Sequence, residues 1–154
     1  SMGKTVASNK RAYRNFDFDE FYEAGIVLQG TEVKSLRAGR CSLKDGYAKV
    51  TDEEAYLHNV HIARYEQGNR ENHEPRRKRK LLLRKPEIKR LIGKTQQKGY
   101  SLIPVEVYFK HGYAKVKLGL GQGKKDYDKR RKIKEKDQQR RIEKELKEHA
   151  RGSF

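Results

Sequence analysis

The sequence has one cysteine, Cys41, one methionine, three prolines and no tryptophan. A single cysteine excludes an internal disulfide and is typical of a protein that works in a reducing compartment. No apolar stretch approaches the ~18–20 residues that a membrane-spanning helix needs, and no basic helix carries an apolar stripe that could lie in a membrane interface. The apolar core of a signal peptide is also missing. We therefore expect a cytoplasmic protein with no membrane partner.

Acids and apolar side chains are both scarce. Only 34% of the 154 residues are hydrophobic and 38% are charged, so the core is modest and some segments should be loosely held when free. The 38 lysines and arginines outnumber the 21 acids, which gives a formal net charge of +17. Such an excess indicates a polyanionic partner, with nucleic acid the first choice.

One stretch, from Glu23 to Arg40, predicts a strand that leads directly into a short helix. The apolar run over 24–30 indicates a buried strand. Thr31 is expected to cap the following helix, and Glu32 lies in its first turn, where the helix dipole favours a carboxylate. Gly39 is expected to end the helix in a left-handed conformation.

The remaining elements predict a mostly β domain. Strands are expected over 46–51, 54–62, 79–83, 101–109 and 113–120, with helices over 31–38 and 86–98. Short antiparallel strands with few helices favour a Greek-key barrel of the OB type, although an SH3-like barrel would produce a similar pattern. Four aromatic residues are expected to fill its core: Phe16, Phe18, Phe21 and Tyr22.

Basic segments flank this domain, which we place at residues 16–122. For the arm over 1–15, two interpretations stay open: a floppy segment, or one that lies along a phosphate backbone. Glycines at 119–123 are expected to break the last strand, and apolar residues nearly vanish in the tail over 123–154. A polar helix of this kind is marginal in water, so we predict a tail that frays when free and becomes helical against a partner.

The sequence offers little for catalysis. No nucleophile is flanked by an obvious base, and His58 and His61 would project to opposite faces of a strand, so they cannot share a metal. The run from Gly119 to Lys125 lacks the spacing of a phosphate-binding loop. We therefore expect no enzyme activity, no metal and no cofactor.

Binding of RNA has stronger support. Residues 76–98 contain eleven lysines and arginines and one acid, Glu87. Tyrosines also alternate with lysines along the strands, which suits unpaired bases that stack on rings, although each tyrosine could instead be a rim residue of the barrel. These tyrosines are Tyr47, Tyr108 and Tyr113, beside Lys49, Lys110 and Lys115.

Several motifs, in this order along the chain, together resemble the SmpB family of SsrA-binding proteins. They are NKR at 9–11, EAGIVLQGTEVKSLRAG at 23–39, KDGYAK at 44–49, RKLLL at 79–83, RLIG at 90–93, KGY at 98–100, YFK at 108–110 and GKKxYDKR at 123–130. The resemblance implies a bacterial OB-fold protein that binds the tRNA-like domain of transfer-messenger RNA. It also implies trans-translation, in which this RNA, alanylated and carried by elongation factor Tu, enters stalled ribosomes.

The same resemblance implies that the tail enters the empty message channel and decoding site of the small ribosomal subunit, against its rRNA. A monomer is expected. The family's RNA-binding positions match Asn9, Glu23, Leu82 and Lys115. Charge adds further candidates: Lys10, Arg11, Glu32, Lys34, Arg37, Arg79, Lys80 and Lys125. The family's tail motif matches Gly123, Tyr127, Asp128, Lys129 and Arg130.

Two other functions remain open at this point. A constitutive ribosomal protein could use the barrel and the tail as ordinary anchors on rRNA, and would co-sediment with all ribosomes. An RNA-processing enzyme would show turnover, for which no residues are evident.

Overall fold

A computed structural model gives the structure of residues 4–66 and 71–152, with all side chains except those at 125–131 and 149–152. Strands alternate with a few helices along this part of the chain. In order, the elements are β1 (Thr5–Ser8), α1 (Lys10–Asn15), β2 (Phe16–Ile26), α2 (Gly30–Arg37), β3 (Cys41–Ser42), β4 (Tyr47–Thr51), β5 (Glu54–His58), β6 (His61–Ile62), β7 (Arg79–Leu82), α3 (Lys85–Thr95), β8 (Tyr100–Lys110), β9 (Tyr113–Gly123) and α4 (Lys124–Gly152).

Seven strands form one antiparallel sheet in the order β1-β8-β4-β5-β7-β2-β9. Because β9 pairs with β8 as well as with β2, the sheet closes into a barrel. Six strands belong to this closed ring, whereas β1 pairs with β8 alone. Closure leaves fewer exposed edges that could pair with other chains. The predicted mostly β, antiparallel barrel is confirmed.

Alternation along each strand sends apolar side chains into the barrel and polar ones outward. Leu57, Leu81, Leu102 and Leu118 are among the fully buried core residues, and Leu91 of α3 packs into the same cluster. Burial of one such leucine stabilises the fold by about 1.5–3 kcal/mol. Pro86 lies in the first turn of α3, as the sequence predicts.

The interpretation of residues 5–15 as a floppy arm is wrong. β1 pairs with β8, and the backbone amide of Asn9 donates to the Val105 carbonyl at 2.8 Å. Ala12 of α1 is buried against Ile103 and Val105 on the outer surface of the barrel. A four-residue strand and a six-residue helix are too short to show apolar periodicity, which is why the sequence did not reveal them.

The first long strand begins earlier than predicted, and its helix has a different cap. β2 covers 16–26 rather than 24–30, and Gln29 rather than Thr31 precedes α2. The Gln29 amide donates to the Glu32 carboxylate at 2.8 Å, whereas the Thr31 hydroxyl is hydrogen-bonded to the His73 ring. Gly39 has φ +73°, so its predicted left-handed conformation is confirmed.

The glycines after residue 118 do not break the last strand, because β9 continues to Gly123. These glycines allow β2 to pack closely against β9. A Cβ at Gly119 would lie 2.6 Å from the Phe18 ring, and one at Gly121 would lie 2.2 Å from the Asp17 carbonyl oxygen. Phe21 is also not a core residue, since its side chain is 44% exposed.

The tail forms one long helix, α4, which begins directly after β9. All side chains described between 132 and 148 are exposed, including Ile142 and Leu146. Folding of the tail on binding to a partner stays a prediction.

Candidate nucleic-acid interface

Three of the four residues at the family's RNA-binding positions come together on the outer face of the barrel. Gly25 of β2 pairs with Leu82 on one side and with Lys115 on the other. Cross-strand partners point to the same face, and Glu23 lies two residues before Gly25, so it shares that face. We call Glu23, Leu82 and Lys115 the barrel-face site. Leu82 is 55% exposed, so its side chain is available for contact.

Leu82 lies against Gly25 on this surface. A Cβ at Gly25 would meet the Leu82 Cβ at 3.4 Å, an ordinary van der Waals contact. The apolar side chain of Leu82 lies beside the two charged residues of the barrel-face site, Glu23 and Lys115.

Glu23 is held as an ionised hydrogen-bond acceptor. The Tyr108 hydroxyl donates to one of its carboxylate oxygens, and Lys110 Nζ lies 3.3 Å from the other. The hydrogen bond from Tyr108, together with the charges of Lys110 and Lys115, lowers the pKa of Glu23 despite its partial desolvation. A carboxylate in this state can accept hydrogen bonds from base amino groups or ribose hydroxyls.

Tyr108 supports this acid and does not offer its ring to RNA. Its side chain is only 3% exposed, so the predicted role as a stacking residue is wrong for this tyrosine. Burial and the Glu23 carboxylate raise the pKa of Tyr108, which keeps the hydroxyl as a donor. Tyr47 and Tyr113 are both exposed. The Tyr47 ring is stacked parallel to the His58 ring, with the ring centroids 5.0 Å apart.

The fourth matched residue, Asn9, lies in a different place. Its side-chain oxygen accepts from the Ala12 amide at 3.1 Å and so caps α1. Lys10 and Arg11, the next two residues, are exposed and line a cleft of about 620 Å³ together with Lys44. Asn9 thus positions two cations at the mouth of this cleft.

The basic residues of α2 are also at the surface. Lys34 Nζ lies 5.4 Å above the Tyr65 ring, and the Arg37 guanidinium lies 5.2 Å from the centre of the Phe109 ring. These rings orient the cations without neutralising them. Both remain available to phosphates.

Lys80 lies on the same face of β7 as Leu82, because the two are separated by one residue. Its ammonium is 3.4 Å from Glu54, in an exposed pair. Exposed pairs of this kind contribute little, so Lys80 can exchange its partner for a phosphate at small cost.

Glu32 and Arg79 cannot be surface contacts for RNA, because both side chains are fully buried. Arg79 Nε donates to one Glu32 oxygen, while its two terminal nitrogens donate to the carbonyls of Val60 at 2.7 Å and Pro75 at 3.0 Å. Arg77 donates to the other Glu32 oxygen at 2.6 Å. The expectation failed because charge alone does not tell which arginine of a basic run points inward.

This buried network ties α2 to the segment before β7. Burial alone would raise the pKa of Glu32, but hydrogen bonds from Arg77, the Gln29 amide and Arg79 outweigh it and hold that pKa below its usual value. Nearby, the Ser35 hydroxyl donates to the Ala63 carbonyl at 2.6 Å. The exposed cations of α2 are thereby fixed relative to the barrel.

The tail candidates are only partly within the described structure. Gly123 pairs with Phe16 at the end of β9. The side chains of Lys125, Tyr127, Asp128, Lys129 and Arg130 lie outside the described residues.

The candidates from the sequence left out Lys117, and they placed Lys110 only beside a tyrosine expected to stack on bases. In the structure Lys110 holds the carboxylate of Glu23, and Lys117 pairs with Glu23 across the strands, with its Nζ 4.5 Å from the centre of the Phe21 ring. The alternation of Lys115 and Lys117 with apolar residues was the available signal. Which strand faces them depends on the register, which the sequence does not state.

Within the described ranges, no three histidine, cysteine or acidic side chains are grouped so that they could hold a metal ion. No helix in the part of the chain described here is both long and apolar enough to cross a membrane.

The closed antiparallel barrel and its cationic outer face define a class of small basic barrel proteins suited to nucleic acids. The family model for SmpB protein matches residues 6–148. The chain belongs to the SmpB family.

Named relatives cover nearly the whole chain. SsrA-binding protein from Shouchella clausii is 57% identical over 97% of this chain and 96% of the relative, and that from Bacillus subtilis is 55% identical over the same shares. A chain from the solved structure described as "tmRNA-SmpB: a journey to the center of the bacterial ribosome" is 51% identical, with a TM-score of 0.65 over 80% of this chain and 85% of that one. The OB-like fold expected from the sequence is supported by this likeness.

Proposed function

We propose that this protein binds transfer-messenger RNA and acts with it in trans-translation at the ribosome. The observation that carries the proposal is the convergence of Glu23, Leu82 and Lys115 on one outer face, in a chain of the SmpB family. These residues come from three different strands, so only the folded barrel assembles them.

Each residue of the barrel-face site has a distinct role in this proposal. Lys115 neutralises a phosphate, and Leu82 makes an apolar contact with a base or sugar. Glu23 repels phosphate and accepts hydrogen bonds from exposed base edges, so it favours RNA that presents such an edge at that point. Lys10, Arg11, Lys34, Arg37 and Lys80 add phosphate contacts around the site.

In this proposal the tail binds the ribosome. The basic helix after Gly123 enters the message channel of a stalled ribosome against the rRNA of the small subunit, and a resident message would occlude it. The barrel holds alanylated transfer-messenger RNA, which elongation factor Tu carries. The protein acts in the bacterial cytoplasm, as a monomer and by binding rather than by turnover.

The direct test compares binding of transfer-messenger RNA with binding of bulk tRNA across a salt series. The wild-type protein should keep a preference for transfer-messenger RNA at high salt, since phosphate contacts alone weaken steeply there. Lys115→Gln should reduce the slope of log affinity against log salt by about 0.7–0.9, the value for one phosphate. Leu82→Ala should weaken binding while leaving the slope unchanged.

Lys89→Gln, at an exposed position of α3, is the matched control and should change the preference little. Equal affinity of the wild-type protein for both RNAs would contradict the proposal and favour a constitutive rRNA-binding protein. The tail has its own test: replacing Asp128, Lys129 and Arg130 together with alanine should abolish tagging of nascent chains while transfer-messenger RNA still binds.

A further inference from the structure

Four aromatic rings form a cluster where α1 meets β2. Phe16 and Phe18 are stacked with centroids 5.7 Å apart, Phe18 lies 5.6 Å from Tyr13, and Phe18 lies 5.5 Å from Phe21. Tyr13 and Phe21 are themselves 6.2 Å apart with an angle of 33° between the rings. Two pairs can be distinguished in this cluster by their burial.

The inner pair, Phe16 and Phe18, explains how α1 is held. Both pack against a small apolar cluster that includes Ala12, Ile103 and Val105. The outer pair does not belong to that cluster, and its side chains are 46% exposed at Tyr13 and 44% exposed at Phe21. Packing therefore accounts for the inner pair and leaves the outer pair without a full structural role.

The outer pair lies between the two groups of RNA-binding candidates. Phe21 is two residues before Glu23 in β2, so it shares the outer face with the barrel-face site. Tyr13 is three residues after Lys10 in α1, so the two lie on one side of that helix. Lys117 links Phe21 to the barrel-face site, because its Nζ is 4.5 Å from the centre of the Phe21 ring and it pairs with Glu23 across the strands.

We propose that Tyr13 and Phe21 form a stacking site for an unpaired base of the bound RNA, which joins α1 and the barrel-face site into one continuous interface. This inference rests on the proposed function and adds a contact that the family motifs do not include. Base stacking on an aromatic ring tolerates any base, so the site adds affinity rather than sequence preference.

The charges around the pair favour RNA as the occupant. Lys117 and Lys10 flank the rings, and a flexible lysine can leave the Phe21 ring for a phosphate, which uncovers the ring for a base. Three acids of β2 near Phe21 already have partners: Asp19 accepts from the Tyr100 hydroxyl at 2.7 Å, Glu20 accepts from Arg90, and Glu23 accepts from Tyr108 and Lys110. Their repulsion of a phosphate is therefore reduced.

The first experiment measures binding of transfer-messenger RNA by the full chain carrying both Tyr13→Leu and Phe21→Leu. Leucine keeps an apolar side chain but removes the ring, so affinity should fall about fivefold or more, the lower end for stacking of one base on a ring. The salt slope should stay unchanged, because no phosphate contact is removed. Val27→Ala, at a residue that is 46% exposed, is the control for loss of exposed apolar surface.

Thermal unfolding of the double variant separates binding from folding. Unchanged affinity in a variant that melts like the wild type would overturn the inference. A loss of ribosome association with unchanged affinity for transfer-messenger RNA would also overturn it, because the pair would then contact the ribosome and not the bound transfer-messenger RNA. If the wild type itself shows no preference for transfer-messenger RNA, the proposed function fails instead.

A second experiment uses the absence of tryptophan from the sequence. The Tyr13→Trp variant has a single indole at the outer pair, and Gln97→Trp provides a reference at an exposed position after α3. Transfer-messenger RNA should quench the emission of the first variant strongly and that of the second weakly. Equal quenching in both would overturn the stacking site.

Discussion

At the scale of single residues, the same type of side chain serves opposite purposes within one basic run. Lys80 faces solvent on β7, whereas Arg79 beside it is fully buried and bonded to Glu32. A buried ion pair is not necessarily more stable than an apolar pair, but removing one partner leaves a charge without compensation. The network is best understood as the support of α2 and its exposed cations.

Replacing Glu32 with glutamine should lower the free energy of unfolding by about 3–5 kcal/mol, since it leaves the buried Arg79 without a counter-charge. Urea unfolding measures the change. Glu74→Gln is the matched control, because Glu74 pairs with Arg64 at 3.8 Å with both side chains exposed, and such pairs are worth about 0–1 kcal/mol. Similar losses in both variants would contradict the role of the buried network.

The ion pair between Glu32 and Arg79 also predicts how the stability of the protein depends on pH. The pKa of Glu32 is lower in the folded protein than the value of about 4.3 expected when unfolded. Its contribution is therefore complete above about pH 5 and is lost as the pH falls through the folded-state pKa. Urea midpoints measured from pH 6 to pH 3 should fall more steeply for the wild type than for Glu32→Gln. Parallel curves would show that Glu32 does not titrate as proposed.

At the scale of elements, the close approach of β2 and β9 depends on glycine. The Cβ of any other residue at 121 would lie 2.2 Å from the Asp17 carbonyl oxygen, and backbone cannot move aside as a side chain can. The same strands carry Glu23 and Lys115, so the packing of this pair sets the geometry of the barrel-face site.

Gly121→Ala should therefore destabilise the protein by more than about 2 kcal/mol or prevent folding, since the strands must separate locally. The matched control is Gly93→Ala in α3, where a Cβ would meet nothing within 4 Å. That substitution should stabilise the protein by about 0.5–1 kcal/mol, the difference between glycine and alanine in a helix. Thermal unfolding compares the two, and equal effects would contradict the requirement for glycine at 121.

At the scale of the whole molecule, a closed barrel carries a long helix whose described side chains between 132 and 148 are all exposed. This helix buries no apolar face over that range. Its stability must come from helix propensity, from pairs such as Glu143 and Lys147, or from a partner.

Deleting residues 132–154 should accordingly shift the melting temperature of the barrel by less than about 2 °C, since the side chains described between 132 and 148 bury no apolar face. The same deletion should also reduce the helical far-UV circular dichroism signal of the free protein. The reduction should be smaller than a fully helical segment of this length would give, because the helix frays. A clear drop in melting temperature would mean that the tail packs on the barrel, and a full loss of helical signal would contradict fraying.

The sequence by itself determined the positive charge, the period-two alternation of β8 and β9, the left-handed turn at Gly39 and the family motifs. These features are local or compositional, so no distant contact is needed to read them. Only the tertiary structure decided which charges are buried, because Glu32 meets Arg79 across 47 positions of sequence. It also decided that α1 covers the barrel and that Glu23, Leu82 and Lys115 share one face, because strand register and closure of the barrel set these neighbours.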